Sequence, residues 1–408
     1  MVPRVPELRD LIGVFLDNLI KQNPAFARAV IDLHQSGALP PDCYVIDLDV
    51  MAENARLICN QSHLLGMEVI AMTKQFGRHP EALRILRDNG VDSFVAVDMT
   101  CARAIKRADQ PLGHIGHLVQ IPRHSASEAS SFYPANWTVF SHHKAAEAAA
   151  AASSHGRTQG ILARVYGEGD IVIKSHAGGF DADEIVEVAA AIDGLDGGRF
   201  AGITSYPALS FDREKHIVRP NHNLLTLEKS VARLVRAGVR DVAVNAPGET
   251  STEVLVYLAN AGATQVEPGH GFTGTSALHA FASLPERPAM LYLSEVSHLD
   301  GDIAYCFGGG LYLCVGSIEY QPTAIVGADF ESAATQRVDA AVSHNHREID
   351  FYGRLSMPDR TSIRSGDSVL FCFRAQAFYT RSLVAAISGV QTGSPVVEGI
   401  CTVDGRAA

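Results

Sequence analysis

Residues 68–83 read EVIAMTKQFGRHPEAL. A strand-length apolar run (Val69, Ile70, Ala71, Met72) ends at Thr73-Lys74, and Pro80 then opens a helix-compatible stretch over 80–89. Runs of the same kind begin near Asp92 (DSFVAV), Gly116 (GHLVQI), Trp137 (WTVF), Gly160 (GILARVY), Phe200 (FAGITSY), Asp241 (DVAVNA) and Thr264 (TQVEPG). Helix-compatible segments such as 181–192, 221–237 and 250–260 lie between them. Alternating strands and helices imply a parallel sheet with helices outside. That pattern also fits an open doubly wound sheet. The count of eight favours a closed (β/α)₈ TIM barrel, and the fold class is therefore α/β.

Upstream, Leu8, Leu11, Ile12, Phe15, Leu16, Leu19 and Ile20 recur at helical spacing. Asn23-Pro24 offers a cap and a first position for a second helix, ended by Gly37 and Pro40-Pro41. A strand over 44–49 (YVIDLD) follows, and then a helix with Asp49 as cap and Gly66 as stop. Downstream of about residue 288 helical periodicity fades. MLYLSEV, IAYCF, LYLCV, SVLFCF and SLVAAISGV read as strands. The expected organisation is a helical extension over 1–43, a barrel over 44–287 and a β-rich C-terminal domain over 288–408.

A length of 408 residues suits one barrel plus a smaller domain, and 47% hydrophobic with 19% charged residues is a globular profile. The net charge of −11 argues against nucleic acid as a partner. Asp10 and Asp17 interrupt the N-terminal apolar residues, which argues against a signal peptide or membrane span. Seven scattered cysteines with no C-x-x-C pair read as reduced thiols, so the expected location is the cytoplasm.

Active sites of such barrels lie at the C-terminal ends of the strands. Lys74 stands there, at the edge of an apolar wall where desolvation disfavours the ammonium form. An accessible free amine is what Schiff-base chemistry needs, although a lysine snorkelling over the barrel rim would look the same. The loops after strands seven and eight, NAPGETSTEV and EPGHGFTGTS, occupy the usual phosphate positions. Gly248, Thr250 and Ser251 on one, and Gly269, His270 and Gly271 on the other, are candidate anion contacts or ordinary loop residues. Glu267 is a rim carboxylate suited to a pyridine nitrogen or to a salt bridge. Gly308-Gly309-Gly310 lacks the P-loop lysine and reads as a strand-turn device. His344 and His346 have metal-compatible spacing without a further ligand.

The stretches VIDLDVMAENARLI (45–58) and VIAMTKQFGRHPEAL (69–83) resemble the opening of the alanine racemase N-terminal domain family, the fold-type III PLP proteins. HAGGFDADEI, FAGITSYPAL and HIGHLVQIP extend the resemblance, in particular to its bacterial YhfX-like branch. The resemblance implies pyridoxal 5'-phosphate (PLP) on Lys74 and the 44–49 strand placed in the β domain. It also implies a head-to-tail homodimer in which the partner's β domain completes each site. NAPGETST resembles a phosphate-binding turn of D-threonine aldolase-like members, supporting Gly248, Thr250 and Ser251. EPGHG resembles a turn of ornithine decarboxylase-like members in which glutamate meets the pyridine nitrogen. Alanine racemases have arginine there. Arg164 is a competing pyridine contact, and Ser205 and Tyr206 align with cofactor-facing positions. DFYGRL and FRAQAFYTRS resemble metal-binding motifs, but Tyr352 and Gln376 replace their histidines, so no metal is expected.

The expected activity is PLP-dependent chemistry at the α-carbon of an amino acid or related amine, of the racemase or epimerase type. Lys74 would act on one face, and Tyr305 or Tyr352 from the partner on the other. Lyase or decarboxylase chemistry, or a non-catalytic PLP carrier, are the alternatives.

Overall fold

The computed structural model of the chain describes residues 14–312, 322–341, 349–357 and 362–408. Eight parallel strands form a barrel: Glu68–Met72, Ser93–Ala96, Leu112–Ile115, Asn136–Val139, Gln159–Tyr166, Gly198–Thr204, Ala243–Asn245 and Gln265–Val266, numbered one to eight below. Each pairs with the next, and strand eight pairs back with strand one, so the ring closes. Strands covered by helices outside and side chains inside are buried on both faces, which is why they read as continuous apolar runs. The expected barrel with a C-terminal β-rich part is the observed architecture.

Strand three departs from the sequence reading. It is Leu112–Ile115, four buried residues, and not the run beginning at Gly116. Gly116 has φ +74° and a Cβ there would lie 2.4 Å from the Thr138 carbonyl oxygen. The chain turns at that point, and the more apolar-looking HLVQI becomes the loop at the barrel mouth. Gly113 and His114 masked a strand whose interior carries a polar group.

The second sheet has nine strands. The strand expected over 44–49 is Cys43–Asp47, and it lies in this sheet, antiparallel to Met290–Asp300 and parallel to Leu383–Ser388. Because it ends early, Asp47 and not Asp49 caps the following helix, Leu48–Leu64, accepting from the amides of Asp49 and Val50. Asp49 accepts instead from the Gly389 amide. Of LYLCV, Leu311 and Tyr312 are loop, and 313–315 lie outside the described residues. Thr323–Gly327, Arg337–Ala341 and Val396–Thr402 are strands that the sequence reading did not mark. His344 and His346 lie outside the described residues.

Two N-terminal helices, Val14–Gln22 and Pro24–Gln35, tie the two sheets together. Asn23 does not cap the second; its amide donates to Asp47 and to the Pro288 carbonyl. Asn18 donates to the carbonyl of His279, in the one-turn Leu278–Ala280 helix beneath the barrel's last loop. Burial pushes the His279 imidazole down to about 4 from 6.5. A neutral buried histidine adds no penalty above pH 6.5. Below it the unfolded chain takes up a proton that the folded chain refuses until about pH 4. Stability is therefore expected to fall by about 3 kcal/mol across that window through this residue alone. Urea denaturation of His279→Gln should show a correspondingly flatter pH profile.

Candidate active site

Strand one delivers Lys74 to the barrel mouth. After Met72 the chain makes one 3₁₀ turn, Lys74–Phe76, ended by Gly77 at φ +65°. That turn packs against a second one, Ala377–Tyr379, from the C-terminal part of the same chain. Lys74 is half-buried and lines a cavity of about 560 Å³. The same cavity is lined by Tyr206, Gly248, Thr250, Glu267, Gly269 and His270, so most of the predicted residues converge.

The floor is a polar chain inside the barrel. Glu267 is 5% exposed and follows strand eight. Its Oε1 lies 2.5 Å from Nδ1 of His114 on strand three and accepts from Asn245 Nδ2 at 2.9 Å, on strand seven. Asn245 in turn accepts from the Thr204 hydroxyl, and Thr138 lies 2.6 Å from His114 Nε2. With Thr138 donating to Nε2, His114 keeps its proton on Nδ1 for the carboxylate. Burial opposes ionisation of Glu267, but the neighbouring imidazoles of His117 and His114 and the hydrogen bonds donated by His114 and Asn245 hold the carboxyl below its ordinary range.

The other oxygen, Oε2, is buried and accepts no hydrogen bond. His117 Nε2 stands 3.5 Å from it, out of hydrogen-bonding alignment, and both ring nitrogens of His117 are likewise unpartnered. Burial pushes His117 down to about 3, so the ring is neutral near pH 7. The site thus holds a buried anion whose only ion-pair partners among the described residues are imidazoles. A buried carboxylate of this kind calls for a compensating cation or donor.

Three predicted contacts stand apart from the cavity. Arg164 donates to the His176 carbonyl at 2.6 Å and lies over the Phe140 ring. With Ser205, which accepts from Asn223, it lines a neighbouring cavity of about 260 Å³. Ser251 is fully buried, its Oγ has no partner, and it does not line the main cavity. Gly248, at φ +132°, needs glycine for its conformation. At Gly269 a Cβ would meet the Gln75 amide carbon at 2.5 Å, so a larger residue there displaces the end of the Gln75 side chain. His270 donates to or accepts nothing in the cavity that the structure shows; its Nε2 bonds the Ala375 carbonyl at 2.8 Å.

Tyr305 and Tyr352 lie on paired strands of the second sheet, away from the cavity of their own chain. Tyr305 stacks on His298 at 4.6 Å, and Tyr352 meets both edge-on. Gln376, read above as a lost metal ligand, does line the cavity. So does Arg374, whose guanidinium pairs with Glu249 at 3.0 Å, the two side chains 14% and 8% exposed. This pair fastens the C-terminal part to the loop after strand seven. Arg374→Ala removes the guanidinium 3.0 Å from a buried carboxylate and should lower stability by about 3 kcal/mol, measured by urea denaturation.

The sequence reading passed over His114, His117, Thr138 and Asn245. The H-x-x-H spacing of HIGH at the end of a barrel strand was the available signal, hidden by placing strand three after it.

The family described as "Alanine racemase, N-terminal domain" matches residues 46–277, and that described as "YhfX-like, C-terminal domain" matches 291–397. The "Uncharacterized protein YhfX" of Escherichia coli (strain K12) is 37% identical over 386 residues, 95% of this chain and 97% of that protein. Among solved structures, the D-threonine aldolase of Filomicrobium marinum superposes with a TM-score of 0.69 at 17% identity, covering 90% of this chain and 95% of that one. The D-threo-3-hydroxyaspartate dehydratase of Delftia sp. HT23 gives 0.62 at 17% identity, over 88% and 97% of the two chains. The alanine racemase of Clostridium difficile 630 gives 0.59 at 14% identity, over 88% and 98%. At these identities the structures establish the fold.

Proposed function

This chain belongs to the alanine racemase N-terminal domain family, and from that premise we propose that it is a PLP-dependent enzyme acting at the α-carbon of an amino acid or related amine. One observation carries the reading. Lys74 and the unpartnered Oε2 of buried Glu267 face the same cavity, from strands one and eight. A lysine amine and an acceptor for a protonated ring nitrogen are the two contacts PLP needs at opposite ends of its ring. The residues present fit the cofactor: Lys74 would hold it covalently, Glu267 would meet the pyridine nitrogen, and the turn at Gly248–Thr250 with Gly269 would take the phosphate. Bound there, PLP supplies an electron sink for a carbanion formed at the substrate α-carbon.

The chain's own groups account for the rest. His114 and Asn245 fix the orientation of Glu267, so its free oxygen points into the cavity without reorganisation. Lys74 would move the α-proton on the face it occupies. Tyr206, 5.8 Å from His117 and 5.7 Å from His176, walls the cavity. We further propose that the cytoplasmic enzyme is a head-to-tail homodimer. The cluster of His298, Tyr305 and Tyr352 would then be offered to the partner's site, with one tyrosine carrying a proton on the second face. Among the described residues no helix is long and apolar enough to cross a membrane.

The reaction type is read by incubating the PLP-loaded protein with D- and L-amino acids in deuterated water. Exchange of the α-proton, with inversion, is the expected result. Release of carbon dioxide or of a β-substituent would assign decarboxylase or lyase chemistry instead. Silence across the whole panel would overturn the enzyme reading in favour of a carrier.

A further inference from the structure

The floor of the barrel holds a second kind of site. The ligand atoms of His114, His117 and Glu267 lie within 4.8 Å of one another, and all three side chains are buried. Zinc-class bonds of about 2.0–2.2 Å place ligands of one ion up to roughly 4 Å apart, so side-chain movements under about 1 Å would close the set. Both nitrogens of His117, a residue 1% exposed, are unpartnered, as is Glu267 Oε2. Outer contacts are also in place. Thr138 can accept from His114 Nε2–H once Nδ1 is a ligand, and Asn245 holds Glu267 Oε1. Two imidazoles and a carboxylate are three ligands, and His117 and Glu267 line the cavity, which leaves a fourth position open toward it.

We propose that the cofactor-free protein binds one divalent transition-metal ion of the zinc class on His114, His117 and Glu267, and that this ion and a pyridine ring exclude one another. The exclusion rests on the PLP reading above, because both occupants require Glu267 Oε2 and both supply the positive charge that the buried carboxylate lacks. Coordination at Nδ1 moves the proton of the neutral His114 ring to Nε2, where the Thr138 hydroxyl accepts it, so uptake needs no net proton release. Imidazole-rich sets favour zinc, cobalt, nickel and copper over magnesium or calcium.

Co²⁺ is the probe, because its visible bands report coordination number. Cofactor-free protein is expected to take up one equivalent with the intense bands of a low-coordinate ion. His117→Ala should weaken uptake by about 100-fold or more, and Thr138→Val by roughly 10–100-fold. Lys74→Ala should bind Co²⁺ like the wild type. Loading with PLP should erase the bands in the wild type. No saturable uptake by the wild type, or unchanged uptake in His117→Ala, would overturn the metal site. Bands that persist beside a fully formed PLP chromophore would overturn the exclusion. Absence of that chromophore would overturn both the exclusion and the PLP reading, while Co²⁺ uptake and its dependence on His117 decide the metal site separately.

Discussion

Lys74→Ala is expected to abolish covalent capture of PLP and to lower α-proton exchange on the order of 10³-fold or more, the scale of a lost acid–base group. The substitution removes two functions at once, the amine that holds the cofactor and the group that moves the proton. Little else should change. Lys74 is half-buried at the end of strand one, and the turn around it is held by packing of Gln75 and Phe76 and by contact with the turn at 377–379. The variant should therefore fold and still bind PLP through its phosphate and ring, weakly and reversibly. Added methylamine should restore part of the exchange. Wild-type exchange rates in the variant would place the chemistry elsewhere.

Glu267→Gln is the second large effect. The amide keeps the shape, and its oxygen can still accept from His114 and Asn245. Its NH₂ group then occupies the position of Oε2, so on the PLP reading a donor would face the ring nitrogen where an acceptor stood. The nitrogen would lose its proton and the electron sink would weaken. A fall of about 10²–10³ in kcat/KM is expected, comparable to removing one preorganised electrostatic contact. The absorbance of the bound cofactor should shift with it, while protein stability changes little. A variant with unchanged spectrum and rate would show that Glu267 does not meet the ring.

The barrel was legible because its strands are buried on both faces and announce themselves as apolar runs. Lys74 was legible because a charge at the end of such a run has to be explained. The loops at Gly248 and Gly269 were legible as glycines in the right two places; Gly248 is required by its φ, and at Gly269 the end of the Gln75 side chain packs into the space a Cβ would fill. The interior of the floor was not. His114 sits inside a strand, where a polar residue reads as an interruption; its partners Thr138 and Glu267, and the Asn245 that donates to Glu267, come from in or just after three other strands. Only closure of the barrel brings them together. Arg164 lies on the fifth barrel strand and Ser205 just after the sixth, yet a hydrogen bond to the His176 carbonyl holds Arg164 in the adjoining cavity. In the second sheet, Arg337–Ala341 alternates exposed and buried residues and carries charge on its open face, so it lacks the apolar signature of a barrel strand.

The most direct test of the central claim is borohydride reduction of the PLP-loaded wild type followed by peptide mass analysis. The account predicts a yellow protein whose visible band disappears on reduction, with a single pyridoxyl adduct on Lys74. A protein that stays colourless with excess PLP, or an adduct on another lysine, would contradict it.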